Sequence, residues 1–377
     1  MQIIRRKIGK ELLSKFFKGK VIIVYGPRQA GKSTFLKNIL SGYPETNYIN
    51  CDIPENREAL SPRSPEKLKQ FIGNSNLVVI DEAQRVEDIG ITLKILVDTC
   101  PHIQVIATGS SSFDLENSLA EPLTGRHYDF MLFPPMFSEL SFLFDTKNEQ
   151  LSTLEQRLLY GSYPEVIFPK AGDSLRKIIQ IIADDYSTKD ILAFEGLRKS
   201  DILVKLLKVL AYQIGSEVSF NEISNNFGLS LKTIERYIEI LEKAFIIFRL
   251  NPYVANKRSG LRRTRKIYFW DMGLRNSLIN SFENLDLRPD KGALFENYVV
   301  SELLKLNFNS VIKKNYYFWR SYRGEEIDIL EEVDGKLVGH EIKWKSDNNS
   351  IVKSAKAPVK SVDLITAANI DVFLRVS

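Results

Sequence analysis

The chain has 377 residues, of which 44% are hydrophobic and 26% charged, the balance of a globular protein with a substantial core in two to four domains. No apolar run approaches the roughly 18 residues that span a bilayer, and the basic N-terminus lacks the apolar stretch of about 7–15 residues found in a secretory signal, so the expected location is the cytoplasm. The net charge of +5 is uneven: residues 231–275 hold 11 Lys/Arg against 4 Asp/Glu, which leaves the rest slightly acidic.

Residues 1–145 alternate short apolar runs with helical patterns. The runs "KVIIVY" (20–25), "TNYIN" (46–50), "NLVVID" (76–81) and "IQVIAT" (103–108) predict parallel strands covered on both faces, joined by helical crossovers. Between the first strand and its helix lies "GPRQAGKST": Gly26, Pro27, Arg28, Gln29, Ala30, Gly31, Lys32, Ser33 and Thr34. This is the G-x-x-x-x-G-K-[ST] phosphate loop in its proper context. Glycines let backbone N–H groups wrap a phosphate, and the helix N-terminus adds partial positive charge. Lys32 reaches the β- and γ-phosphates, and Ser33 ligates Mg²⁺. The third run ends in Asp81-Glu82. Asp81 would hold the Mg²⁺ of bound ATP or GTP, and Glu82 would orient or activate the attacking water.

The fourth run leads into "ATGSSS", where Thr108 or Ser110 either contacts the γ-phosphate or the lytic water, or caps a helix. In "PLTGRHYDF", Arg126 is either a finger for a neighbouring subunit's nucleotide or a surface arginine. Cys51 and Cys100 have no metal or redox spacing, and His102, His127 and His340 form no cluster, so neither a zinc site nor a redox pair is expected.

The polar stretch 144–153 marks the end of the first domain, set at 1–145, and helical patterns follow through 146–215. Residues 216–285 show helix, "GLS" turn, helix, then two strands around a basic loop. On the second helix Ile234, Ile238 and Leu241 form the apolar face. Lys232, Thr233, Arg236 and Tyr237 are expected on the face that meets a DNA major groove. The loop "NKRSGLRRTRK" supplies Lys257, Arg258, Arg262, Arg263, Arg265 and Lys266 as phosphate contacts from a wing. Such a module also serves as a protein-interaction surface.

The last domain, 286–377, opens with the helical stretch "ALFENYVVSELLKL". "EEIDILEEVDGKLVGHEIKWK" predicts a β-hairpin turning at Asp334-Gly335. Period-two spacing puts Glu326 with Asp328 on one face, and Glu341 with Lys343 on one face. The pattern D-x(12)-E-x-K resembles the PD-(D/E)xK nuclease signature, with Ile327 where the proline would stand. That resemblance adds Glu296 from the preceding helix, and Glu296, Asp328 and Glu341 would then make a hard oxygen site for Mg²⁺ or Mn²⁺. Lys343 would stabilise charge there, with Glu326 beside it.

The chain as a whole resembles the bacterial and archaeal AAA+ ATPases whose C-terminal half is an uncharacterised domain. "GPRQAGKST", "VVIDEAQ", "TGSSS", "LFPPMFSEL", "GSYPEV", "STKDI", "YFWDMGLRN", "LFENYVV" and "EIKWK" carry the resemblance over almost its whole length. It implies an α/β P-loop (AAA+/ASCE) parallel-sheet core, a helical lid, a winged helix-turn-helix and a C-terminal restriction-endonuclease-like domain, with Arg126 as an intersubunit finger. The expectation is a homo-oligomeric ATPase, a ring such as a hexamer, that uses ATP and Mg²⁺ to bind and remodel DNA. An ATP-dependent, metal-requiring nuclease and a signalling or scaffold ATPase that binds protein are the alternatives.

Overall fold

Residues 4–61, 64–109, 123–186, 200–254, 264–321, 323–345 and 357–375 are described by a computed structural model. It falls into two units, Met1–Pro135 and Met136–Ser377. Among the described residues no helix is long and apolar enough to cross a membrane.

In the first unit, strands β1 (Val21–Tyr25), β2 (Thr46–Asn50), β3 (Leu77–Asp81), β4 (Gln104–Gly109) and β5 (His127–Met131) form one sheet. Its order is β2-β3-β4-β1-β5, with every neighbouring pair parallel. Alternation sends successive side chains to opposite faces. Ile22, Val24, Leu77, Val79 and Ile106 pack against Leu12 of helix α1 (Ile8–Ser14) and against Phe35 and Leu36 of α2 (Lys32–Ile39). Val21, Ile23, Val78, Ile80, Val105 and Ala107 pack on the other face with Leu60, Leu68 and Ile72 of helices α3 (Pro54–Leu60) and α4 (Pro65–Ile72), and with Ile89, Leu93 and Leu96 of α5 (Ile89–Thr99). Strand β5 was not anticipated, because "HYDFM" is polar at its start and becomes buried only at Phe130. The order matters for the site: β4 lies between β1, which carries the phosphate loop, and β3, which ends in Asp81.

The second unit is built on a seven-stranded sheet. Its strands are β6 (Glu217–Ser219), β7 (Ile247–Pro252), β8 (Thr264–Phe269), β9 (Asn315–Arg320), β10 (Glu326–Val333), β11 (Lys336–Ile342) and β12 (Val362–Ile365), in the order β12-β11-β10-β9-β7-β8-β6. The expected hairpin is present as β10 and β11, with Asp334 and Gly335 at φ 49° and 77° forming the two-residue turn. Helices α6 (Lys147–Tyr160), α7 (Leu175–Asp185) and α8 (Ser200–Tyr212) precede β6, and α9 (Phe220–Phe227) and α10 (Leu231–Lys243) follow it. Helix α9 ends at Gly228 in the left-handed conformation, and Ser230 caps α10 by accepting from the Thr233 N–H. Helix α11 (Met272–Leu278) packs on α6 and α7, and α12 (Lys291–Phe308) lies against β8 and β11.

Two stretches singled out in the sequence meet inside this unit. In "YFWDMGLRN" the buried Asp271 carboxylate accepts from the Ser162 N–H (2.7 Å) of "GSYPEV" and from the Leu274 N–H (3.1 Å). Asn276 donates to the carbonyls of Leu158 and Leu159 at the end of α6, at 2.9 Å each. Gly161 sits at φ 79°, and a Cβ there would lie 2.0 Å from Asp271 Oδ1. Burial pushes the Asp271 carboxyl above its ordinary range despite these backbone donors.

The boundary drawn at 285/286 does not separate two sheets. Strand β7, before it, pairs in parallel with β9, after it, through Asn251–Tyr317 and Pro252–Phe318. The polar stretch 283–292 that suggested a linker is a connection on the surface of one unit, with Arg288 and Arg275 both paired to Asp290.

Candidate functional site

The phosphate loop leaves β1 at Gly26, which is buried at φ 151°. A Cβ there would sit 2.1 Å from the Leu132 carbonyl oxygen, so the backbone passes where no side chain fits. Gly31, at φ 92°, precedes α2, and Lys32 opens it. The Lys32 ammonium is buried and donates to the carbonyls of Gly26 (2.8 Å) and Pro27 (2.9 Å), folded over the loop it would leave to meet a phosphate. Ala30 is buried, while Gln29 and Thr34 face solvent. Ser33 donates to Asp81 Oδ2 at 3.0 Å, so hydroxyl and carboxylate stand side by side as ligands of a nucleotide-bound Mg²⁺ require.

The strand order decides the rest of the geometry. Thr108, at the end of β4, donates to Asp81 Oδ1 and accepts from the Glu82 N–H (3.0 Å). It thus fixes both acidic residues. Glu82 adopts the left-handed conformation (φ 55°), uncommon outside glycine, and its Oε2 accepts from Gln84 (2.6 Å). Sequence reasoning missed Tyr48 of β2, whose hydroxyl donates to Asp81 Oδ2. Burial, with Asp81 alongside, raises the Tyr48 phenol well above its ordinary value and keeps it a donor. The adjacent "TNYIN" and "NLVVID" strands were the available signal. Ser110 lies outside the described residues.

Arg126 is not near its own phosphate loop. Its carbonyl accepts from the Val21 N–H at the start of β1, whereas the loop follows the end of that five-residue strand, roughly 16 Å away at about 3.3 Å per residue. Its side chain is about two-fifths exposed and pairs with Asp98 (2.9 Å).

Residues 18–141 match the family model described as an AAA domain. This unit is a P-loop ATPase domain. The ATPase domain is followed by two segments that match models described as domains of unknown function, DUF8612 over residues 151–285 and DUF4143 over residues 291–365. The chain is 28% identical over 373 residues to an uncharacterized protein of Mycobacterium tuberculosis, covering 98% of this chain and 80% of that protein. It is 29% identical over 357 residues to an uncharacterized protein of Haemophilus influenzae, covering 87% and 83%. Among solved structures it is similar to the Walker-type ATPase PABY2304 of Pyrococcus abyssi, with a TM-score of 0.49 and 18% identity, covering 74% of this chain and 96% of that one.

Beyond the ATPase domain, two of the acidic residues expected at a metal centre, Glu296 and Glu326, are held by one lysine. Lys266, about 1% exposed, pairs with Glu296 (2.9 Å) and with Glu326. Tyr268, two residues on and on the same face of β8, donates to Glu296 Oε1 (2.6 Å). Asp328 is buried and accepts from the Ile342 N–H (2.7 Å). Burial first, then the charges of Glu296 and Glu341, push its carboxyl well above the ordinary range. Burial alone would lower Lys266, but Glu296, Glu326 and Asp328 outweigh it and hold the ammonium charged. Lys343 pairs with Glu341 (2.8 Å). Among the described residues no group of three or more His, Cys, Asp or Glu side chains is placed to hold a metal ion. Of the expected ligand set, Glu296 is engaged by Lys266, Glu341 by Lys343, and Asp328 by the Ile342 N–H.

Two residues expected at a DNA surface are elsewhere. Lys266 is the buried cation just described, and Tyr237 is 8% exposed on the apolar face of α10 with Ile234, Ile238 and Leu241. Lys232 and Arg236 are exposed and Thr233 is half-buried, but Glu235 and Glu239 are exposed on the same helix and leave its outer surface without net charge. Arg265 is half-buried, and Lys257, Arg258, Arg262 and Arg263 lie outside the described residues.

Proposed function

We propose that this P-loop ATPase acts on DNA, gripping the phosphate backbone through a winged helix formed by β6, α9, α10, β7 and β8. The observation that carries the reading is the antiparallel β6-β8-β7 sheet with the α9–α10 turn, with the basic residues Lys257, Arg258, Arg262 and Arg263 in the connection from β7 to β8 and Arg265 at the start of β8. The neutral outer surface of α10 assigns affinity to that connection more than to base reading by the helix, so binding is sequence-indifferent and salt-dependent. ATP with Mg²⁺ is held by Lys32, Ser33 and Asp81, and Glu82 activates water. The position of Arg126 suits an arginine that completes the nucleotide site of a neighbouring copy in a homo-oligomer. The lysine-filled acidic cluster gives no support to a metal-requiring nuclease.

The test is fluorescence anisotropy with labelled duplex, forked and four-way DNA across a salt series, with and without a non-hydrolysable ATP analogue. Reversing Arg262 and Arg263 to Glu is expected to weaken all three and to reduce the salt slope by about 2, at about 0.9 per lost phosphate contact. Unchanged affinity and slope would remove DNA from the reading and leave a protein-binding ATPase.

A further inference from the structure

The acidic cluster of the second unit is complete without a metal. Four carboxylates approach from three elements: Glu296 on α12, Glu326 and Asp328 on β10, and Glu341 on β11. Asp328 is buried and Glu296, Glu326 and Glu341 are half-buried, and carboxylates crowded in this way call for compensating positive charge. The charge is met from within the chain. Lys266 pairs with both Glu296 and Glu326, Lys343 pairs with Glu341, and Arg320 Nη1 and Nε lie 3.2 Å from Glu217 and 3.9 Å from Glu326. The Tyr268 hydroxyl takes up a further lone pair of Glu296. An ammonium has one charge, three donors and a radius suited to the space between two carboxylates. It demands no coordination geometry, and on a strand it cannot diffuse away.

We propose that Lys266 is the permanent cation of this cluster, delivered by β8 to the place where a nuclease-type centre would hold its divalent ion, and that it makes the terminal domain refractory to Mg²⁺ and Mn²⁺. The cluster is an internal cross-brace between β8, α12 and β10. Any DNA contact made by the segment preceding β8 is thereby tied to the terminal strands without a hydrolytic step. Lysine and metal exclude one another, because a divalent ion would have to break two ion pairs and expel a buried ammonium beside it.

The experiment is Mn²⁺ titration of the full-length, nucleotide-free protein followed by electron paramagnetic resonance of the free ion, with Asp81→Asn in every sample to silence the phosphate-loop site. The parent is expected to bind no Mn²⁺ that Asp328→Asn removes. Lys266→Met is expected to create one site per chain, at least about tenfold tighter than anything in the parent, and Asp328→Asn added to it should abolish that site. A parent that binds an Mn²⁺ lost on Asp328→Asn would overturn the proposal, as would a folded Lys266→Met protein that gains no site. If Lys266→Met does not fold, the comparison of the parent with Asp328→Asn decides alone: equal Mn²⁺ uptake upholds the lysine-filled site, and loss of an ion refutes it.

Discussion

Gly161→Ala isolates the junction between α6 and α11. Gly161 stands at φ 79°, where a Cβ adds strain of roughly 1–2 kcal/mol. The same Cβ would lie 2.0 Å from Asp271 Oδ1, so the carboxylate must move. That carboxylate is 3% exposed and receives the Ser162 and Leu274 N–H groups, each such charge-assisted bond contributing about 1.5–3 kcal/mol. Losing one or both, with the strain, amounts to about 2.5–8 kcal/mol, a large share of the roughly 5–15 kcal/mol typical of a domain. Gly172 supplies the control, with a comparable φ of 88° and nothing within 4 Å of its would-be Cβ, so Gly172→Ala should cost only the strain of about 1–2 kcal/mol. Trp270, Trp319 and Trp344 all belong to the second unit, so tryptophan fluorescence in urea follows that unit selectively. Equal losses for the two alanine variants would refute the argument that the Asp271 clash, and not the backbone, makes glycine necessary at 161.

The other expectations concern the two charged centres. Lys32→Ala and Glu82→Gln should each lower ATP turnover by at least about 10²-fold, measured as phosphate release, and wild-type turnover in both would contradict the placement of the catalytic groups. Arg126→Ala removes an exposed pair with Asp98, so thermal stability should change by less than about 1 kcal/mol while turnover falls about 10³-fold; mixing with Lys32→Ala protein should restore part of it, and no recovery would rule out action on a neighbour. Asp328 holds its proton in the native state to a higher pH than the unfolded value of about 3.9, so its contribution to stability falls as pH rises from about 4 through the raised native value. Asp328→Asn lacks this dependence, and its melting-temperature advantage should widen between about pH 4 and pH 8; a gap that narrows would contradict the direction of the shift.

The ATPase core was legible because its chemistry is local. Each inner strand is a continuous apolar run, and Gly26, Gly31, Lys32 and Ser33 are adjacent in sequence. Tyr48 escaped notice because its role depends on β2 lying beside β3, a fact of sheet order and not of sequence neighbourhood. In "RRTRK" every cation looks equivalent, yet strand alternation half-buries Arg265 and carries Lys266 into the acidic cluster. Tyr237 was misplaced because its polar tip suggested a DNA contact, whereas its position beside Ile238 and three residues after Ile234 turns it to the apolar face of α10. The cation that meets Glu296 and Glu326 comes from a strand some 30 to 60 residues earlier in the chain and could be found only in three dimensions.

The shared sheet of the second unit also bears on how such a chain can be dismantled or inherited. Two separately recognised sequence segments end and begin near residue 290, yet the parallel seam between β7 and β9 and the Lys266 ion pairs both bridge them. A fragment ending at residue 285 would bare the outer edge of β7 and leave Lys266 buried without its acids, a combination that favours aggregation over autonomous folding. The two segments therefore depend on one another in this fold: a replacement for either would have to present a matching strand edge and a matching charge.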